Sequence, residues 1–174
     1  MSIKNIITVP DEILKKISDP IEKVSFNEKK LVNDLFETMY DSNGIGLAAV
    51  QVGILKRILV IDVSNKDEKK RPLSLINPVI KKVSNETSIY EEGCLSIPDT
   101  FIEIERPKIC EIEYVDINGK IKNLKCDGLL STCIQHEINH LDGKLIIDHL
   151  SKLKRDIIIK KISKSKKNPD RIIV

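Results

Sequence analysis

The residues best placed to do chemistry are Gln135-His136-Glu137-Ile138-Asn139-His140, which set two imidazoles and a carboxylate on neighbouring faces of one helix. At about 3.6 residues per turn, His136 and His140 project from the same face roughly 6 Å apart along the axis, so both can bind one ion. Glu137 then lies beside the open coordination position, as in metal-dependent hydrolases, where the ion activates water and the carboxylate moves its proton. A short H-E-x-x-H pattern also occurs on solvated helices. Here the run from Gly128 to Leu141 carries Leu129, Leu130, Cys133, Ile134, Ile138 and Leu141 on several sides, with Glu137 its only carboxylate. Such a helix is expected to be buried, and buried histidines and glutamate need a cation or equivalent partner.

A catalytic metal needs a third protein ligand. After His140 there is no glutamate, which excludes the glutamate-ligand zinc proteases; His149 lies nine residues on, and the extended metalloprotease position is Ile146. Cys133 would sit about 7.5 Å along the axis from a metal level with residue 138, well beyond a thiolate bond of about 2.3 Å. Upstream, Glu91-Glu92-Gly93-Cys94-Leu95-Ser96-Ile97-Pro98 stands out, because Gly93 frees the backbone before the cysteine and Pro98 stiffens the chain beyond it. Taken alone, Cys94 reads as a buried structural cysteine in a turn. Cys110 and Cys126, in strand-like runs, read the same way.

The elements that must position these groups are set by pattern. Pro10-Asp11 begins a short helix, and Asn27 is the expected N-cap of a longer one in which Leu31, Leu35 and Met39 recur at four-residue steps, ending near Ser42-Asn43-Gly44. Arg57–Val63 and Leu73–Ile80 read as buried strands; Ile102–Glu105 and Ile109–Val115 alternate as half-exposed ones. Asn118-Gly119 makes a tight turn into Lys120–Cys126. Asp127 is placed to cap the histidine helix, and Ser151 a C-terminal amphipathic helix. Strands in the middle and helices at both ends predict an α+β fold, antiparallel sheets around the buried helix, with an N-terminal and a C-terminal helix. Gly44-Ile45-Gly46-Leu47-Ala48-Ala49-Val50-Gln51 is small and uncharged but lacks the lysine and hydroxyl of a phosphate loop, so close backbone approach by a ligand is the better reading. Gln51 alone is an ordinary polar residue ending a loop.

Length and composition predict a single domain, 1–164, followed by a basic tail at 165–174. No run of about eighteen apolar residues and no signal-peptide core is present, which predicts a cytosolic protein without a membrane span. The four cysteines are widely spaced and imply no disulfide framework. Residues 151–174 hold nine Lys and Arg against Asp156 and Asp170, a net +7, so the rest of the chain sums to −4 within a total of +3. A basic end on an acidic body suggests a polyanionic partner or, equally, a solvated helix. With no tryptophan and 3% aromatics, any nucleic-acid contact would be to phosphate, not to sequence.

Three segments together, GIGLAAVQ (44–51), EGCLS (92–96) and QHEINHLDG (135–143), resemble the signature motifs of the peptide deformylases, and similarity extends over most of residues 5–150. The resemblance implies removal of the N-formyl group from the initiator methionine of nascent bacterial polypeptides. It implies Cys94, His136 and His140 as metal ligands, with Glu137 as general base and then acid, its pKa raised by the apolar helix. Gln51 and the Leu95 N–H would stabilise charge on the carbonyl oxygen. Gly44, Ile45, Gly46 and Gly93 would lie along the peptide, with Ile45, Leu129, Cys133 and His136 lining the methionine pocket. The metal implied is Fe(II), with Zn(II), Ni(II) or Co(II) as substitutes. In some members the basic C-terminal helix docks on the ribosome near the nascent-chain exit. The chain departs from the family pattern at Tyr90 and Thr132, commonly aliphatic, at Phe101, where an arginine near the peptide exit is common, and at Asn139, commonly aspartate. Two rivals are a metallopeptidase of other specificity, separable by its action on internal amides, and a catalytically silent ribosome-binding relative, which a lost catalytic residue would betray. None of the implied residues is lost.

Overall fold

The structure, a computed structural model, describes residues 2–64 and 69–167. A single 3-10 turn at Glu12–Lys15, capped by Asp11, precedes helix α1, Phe26–Asp41. The cap of α1 is Ser25, not Asn27. Ser25-Phe26-Asn27-Glu28 is a capping box, in which the Ser25 Oγ accepts from the Asn27 N–H and the Glu28 carboxylate reaches back to the Ser25 N–H at 2.9 Å. Asn27 competes for the same role but has no glutamate three residues on to complete it.

Seven strands follow: β1 (Gly46–Ala48), β2 (Ile58–Ile61), β3 (Leu73–Val83), β4 (Thr87–Cys94), β5 (Ile97–Pro107), β6 (Ile109–Val115) and β7 (Ile121–Asp127). β1-β2-β3-β6-β7 form one antiparallel sheet, and β4-β5 a separate antiparallel ribbon. Gly119, at φ 78°, supplies the left-handed turn between β6 and β7 that the Asn-Gly pair anticipates. Helix α2 (Gly128–Leu141) comes next, then a 3-10 turn at Ile146–His149 and helix α3 (Lys152–Lys167). The order is α+β, as the pattern predicted. Asp127 occupies the N-cap position of α2, but its side chain makes no capping bond. α3 begins directly after Ser151 and runs past residue 164; residues 168–174 of the basic tail lie outside the described residues.

The five-stranded sheet is covered on both faces at β2, which is why its four residues are all apolar. Ile58 and Val60 pack with Leu31, Leu35 and Met39 of α1, while Leu59 and Ile61 pack with Ile134, Ile138 and Leu141 of α2. A third cluster joins Ile97, Ile102 and Ile104 of β5 to Leu145, Ile146, Ile147 and Ile162. α2 is therefore wedged between the sheet and the ribbon. Cys110 and Cys126 are buried, unoxidised and directly opposed on β6 and β7, which fits their structural reading.

The capping box makes a testable contribution. The Lys56 ammonium, 2.7 Å from Glu28, and the Ser25 hydroxyl hold the Glu28 pKa down from 4.5 to about 2. A depressed carboxylate pKa stabilises the fold above the unfolded value and loses that contribution as pH falls through the folded one. Glu28→Ala is expected to cost about 1 kcal/mol at pH 7, and the gap to wild type in urea melts should narrow below pH 4.5 and close towards pH 2.

Candidate metal centre

α2 is held by its apolar sides, so the polar groups in its middle are carried inside. His136, Glu137 and His140 are all nine-tenths or more buried. Cys94 reaches them from the end of β4, where the β4-β5 register shifts between Gly93 and Cys94 and turns the cysteine towards α2. The Cys94 Sγ stands 3.2 Å from the His140 Nε2, which stands 3.2 Å from the His136 Nε2. One donor atom from each residue lies within 4.8 Å of the other two. His149 is exposed and Cys133 lies outside this cluster, as the spacing predicted.

The orientation of His136 is fixed from behind. Its Nδ1–H donates to the Glu92 Oε2 at 2.7 Å, which turns Nε2 towards the cluster. Glu92 is gripped in turn by Arg106, whose Nε and second terminal nitrogen lie 2.5 and 3.0 Å from the two carboxylate oxygens, while the remaining terminal nitrogen donates to the Asn139 Oδ1 at 2.8 Å. Burial opposes ionisation of Glu92, but the bonds from His136 and Arg106 outweigh it and hold its pKa below the usual range. Burial likewise opposes a charge on His136, yet the Cys94 sulfur and the Glu92 carboxylate prevail and push its pKa up to about 10. His140, buried and facing the positive charges of His136 and Arg106, is driven well down and stays neutral. Beside the cluster the buried Glu137 Oε2 has no hydrogen-bond partner, nor has the His140 Nδ1 on the far side of that ring. A thiolate with two imidazole lone pairs is a donor set for a divalent transition metal, so the residues fit such an ion.

A cleft of about 430 Å³ opens onto this cluster. Its walls include Gly44, Ile45, Gly46, Gly93, Leu129 and Cys133, together with Gln51, Leu95 and Glu137. Burial pushes the Glu137 carboxyl up to about 7, with the positive charge of His136 opposing and the Glu92 charge adding to it. Gly46 makes room for that carboxylate: a Cβ there would stand 2.8 Å from the Cys133 Sγ and inside contact distance of Glu137. The Gln51 Oε1 accepts from the Ala48 N–H at 2.8 Å, which aims its Nε2 at the Ser96 Oγ (3.2 Å) and the Cys94 Sγ (3.8 Å). The Phe101 ring covers Gly93 at the mouth of the cleft.

Sequence reasoning missed Glu92, Arg106 and Ser96. Glu92 and Ser96 flank Cys94 within the EGCLS segment, and that adjacency was the available signal. Arg106 had none, because only the strand pairing brings it to Glu92.

An α+β fold with this donor set around an H-E-x-x-H helix defines a metallohydrolase class. The sequence profile described as Polypeptide deformylase matches residues 3–156. Peptide deformylases of Pelagibacter ubique and Rhizobium meliloti are 58% and 51% identical, over 100% and 96% of both chains. The crystal structure of peptide deformylase from Ehrlichia chaffeensis superposes with a TM-score of 0.92 at 44% identity, covering 97% of this chain and 99% of that one. The same enzyme in complex with actinonin gives a TM-score of 0.91. The chain belongs to the polypeptide deformylase family, whose members are metal-dependent hydrolases.

The carboxylate behind His136 yields a prediction. Glu92→Gln leaves all three ligands in place but removes the charge that orients His136, and is expected to weaken Zn(II) binding by about 10–100-fold in competition with a chromophoric chelator. Unchanged affinity would show that Arg106 and Glu92 serve only the packing of β4 and β5.

Proposed function

We propose that this chain hydrolyses the N-formyl group of formylmethionyl nascent peptides, releasing formate, with Cys94, His136 and His140 as metal ligands and Glu137 as the proton-transfer group. The observation that carries the reading is the convergence of those three donors at the end of the cleft, beside the unpartnered carboxylate oxygen of Glu137.

A divalent cation held there would supply Lewis acidity, lowering the pKa of a water and polarising the formyl oxygen. Fe(II) is the physiological choice we assign, with Zn(II), Ni(II) or Co(II) able to replace it, since a Cys/His/His set suits all four. Glu137 takes the proton from the attacking water. Burial raises its carboxyl, which suits it to return that proton to the departing amine nitrogen. As the formyl carbon becomes tetrahedral, negative charge gathers on its oxygen, and the Gln51 side-chain amide and the Leu95 N–H donate to it. Gln51 can do so without rearranging, because Ala48 and Ser96 already fix its amide.

The peptide is placed by main chain and apolar contact. Among the described residues β1 is the edge strand of the sheet, paired with β2 alone, so Gly44, Ile45 and Gly46 offer a peptide a strand to add to, with Gly93 across the cleft. Ile45, Leu129, Cys133 and the ring of His136 receive the methionine side chain. In this reading a formyl hydrogen is admitted but no larger acyl group, which separates it from a peptidase acting on internal bonds. A silent relative is disfavoured because Gln51, Cys94, Leu95, His136, Glu137 and His140 are all in place.

Residues 1–164 serve in this reading as one catalytic domain in the bacterial cytoplasm, and the basic end guides it to the ribosome near the exit site. In support, α3 buries Ile162 but exposes Leu153 and Ile157 alongside Lys160, Lys161 and Lys164. No helix among the described residues is long and apolar enough to cross a membrane. Ribosome co-sedimentation that weakens steeply with salt is expected; salt-insensitive or absent binding would contradict it.

The decisive assay is anaerobic release of formate from formyl-Met-Ala by protein loaded in turn with Fe(II), Zn(II) and Ni(II). Metal-dependent release that Glu137→Ala abolishes, and that Gln51→Ala lowers by about 100-fold in kcat, is expected. Stoichiometric binding of every ion with no release would overturn the reading.

A further inference from the structure

The two loops that carry the carbonyl-oxygen donors belong to different layers. Gln51 sits on the 3-10 turn Ala49–Val52 after β1, and Leu95 between β4 and β5. Both loops are bonded to the same short piece of N-terminal chain. The Ile7 N–H donates to the Gln51 carbonyl at 2.8 Å, and the Val9 N–H donates to the Ser96 carbonyl at 3.0 Å. One bond ends on the donor residue itself, the other on the residue after Leu95. Two residues of chain reach at most about 7 Å, so the two loops cannot separate while both bonds hold.

The segment is itself anchored away from the site. The Ser2 N–H donates to the Asp34 Oδ1 and the Lys4 N–H to the Thr38 Oγ1, both at 2.9 Å on α1. Ile6 packs against the cluster around α1, Ile7 against the cluster around β5, and Val9 is buried in the latter. Ser96, fully buried, is the node: its carbonyl is held by Val9, and its hydroxyl accepts the Gln51 amide.

We propose that Ile7–Val9 is a positioning strap that fixes the distance between the Gln51 amide and the Leu95 N–H, and so sets the width of the carbonyl-oxygen site. It rests on the proposed roles of Gln51 and Leu95. Its two backbone bonds end on the donor loops, so it acts through the two donors.

The test replaces the Ile7 N–H by an ester oxygen in semisynthetic, metal-loaded full-length protein, keeping the side chain, with Ile7→Pro as the genetic counterpart. Removing the tether should lower kcat about tenfold while KM stays within about twofold, because the donors act only in the transition state. Adding Gln51→Ala to the ester should cost no more than Gln51→Ala alone. A folded ester variant with wild-type kcat, or losses that multiply in the double variant, would overturn the strap. A readout independent of activity accompanies it: the side-chain NH2 signals of 15N-labelled Gln51 should shift and the Leu95 amide should exchange faster in the ester. If both are unchanged, the strap is wrong. If both change while even wild type releases no formate, the strap stands and the deformylase reading falls.

Discussion

The removal of His136, Glu137 and His140 from water is the constraint on which the rest of the structure depends. Unpaired, buried charge of this kind costs several kcal/mol, and the surroundings answer it unevenly. Glu92 and Arg106 satisfy the back of His136, but the side facing Cys94 is left wanting positive charge, and Glu137 keeps a carboxylate oxygen with no partner. A divalent cation held between Cys94, His136 and His140 would meet that demand. The same desolvation raises the Glu137 carboxyl to about 7, so one physical cause both calls for the metal and tunes the group that works beside it.

Each layer of the fold serves that burial. The sheet shields one side of α2, with β2 apolar throughout because α1 covers its other face. The β4-β5 ribbon lies across the remaining side, delivering Glu92 and Arg106 from one register and Cys94 from just beyond its shift. Gly46 lets β1 approach close enough for Glu137 to sit against its backbone, which narrows the cleft at the point of chemistry. The substrate cleft is thus the gap between a sheet edge and a ribbon, with the histidine helix as its floor.

What was legible in the sequence was local. The histidine helix announced itself because helical spacing alone puts His136 and His140 on one face, and its apolar flanks announced its burial. The Asn118-Gly119 turn and the apolar run of β2 were legible for similar reasons. Cys94 could not be assigned by spacing, since its approach to His140 depends on a register shift in another layer; only the joint resemblance of three motifs singled it out. Arg106 was invisible because nothing near it in sequence marks a charge destined for burial. The cap of α1 was misplaced at Asn27 because two residues of capping type lie two apart, and the glutamate completing the box is in register with Ser25 alone. β1, three residues long, offered no alternation to read.

A crystal structure of zinc-loaded protein, with data collected on both sides of the zinc absorption edge, puts the metal centre itself to the test. A single anomalous peak bonded to the Cys94 Sγ at about 2.3 Å and to an imidazole nitrogen of His136 and of His140 at about 2.0–2.1 Å is the predicted result. No peak in the cleft, or a peak held by other residues, would contradict a cation site at Cys94, His136 and His140.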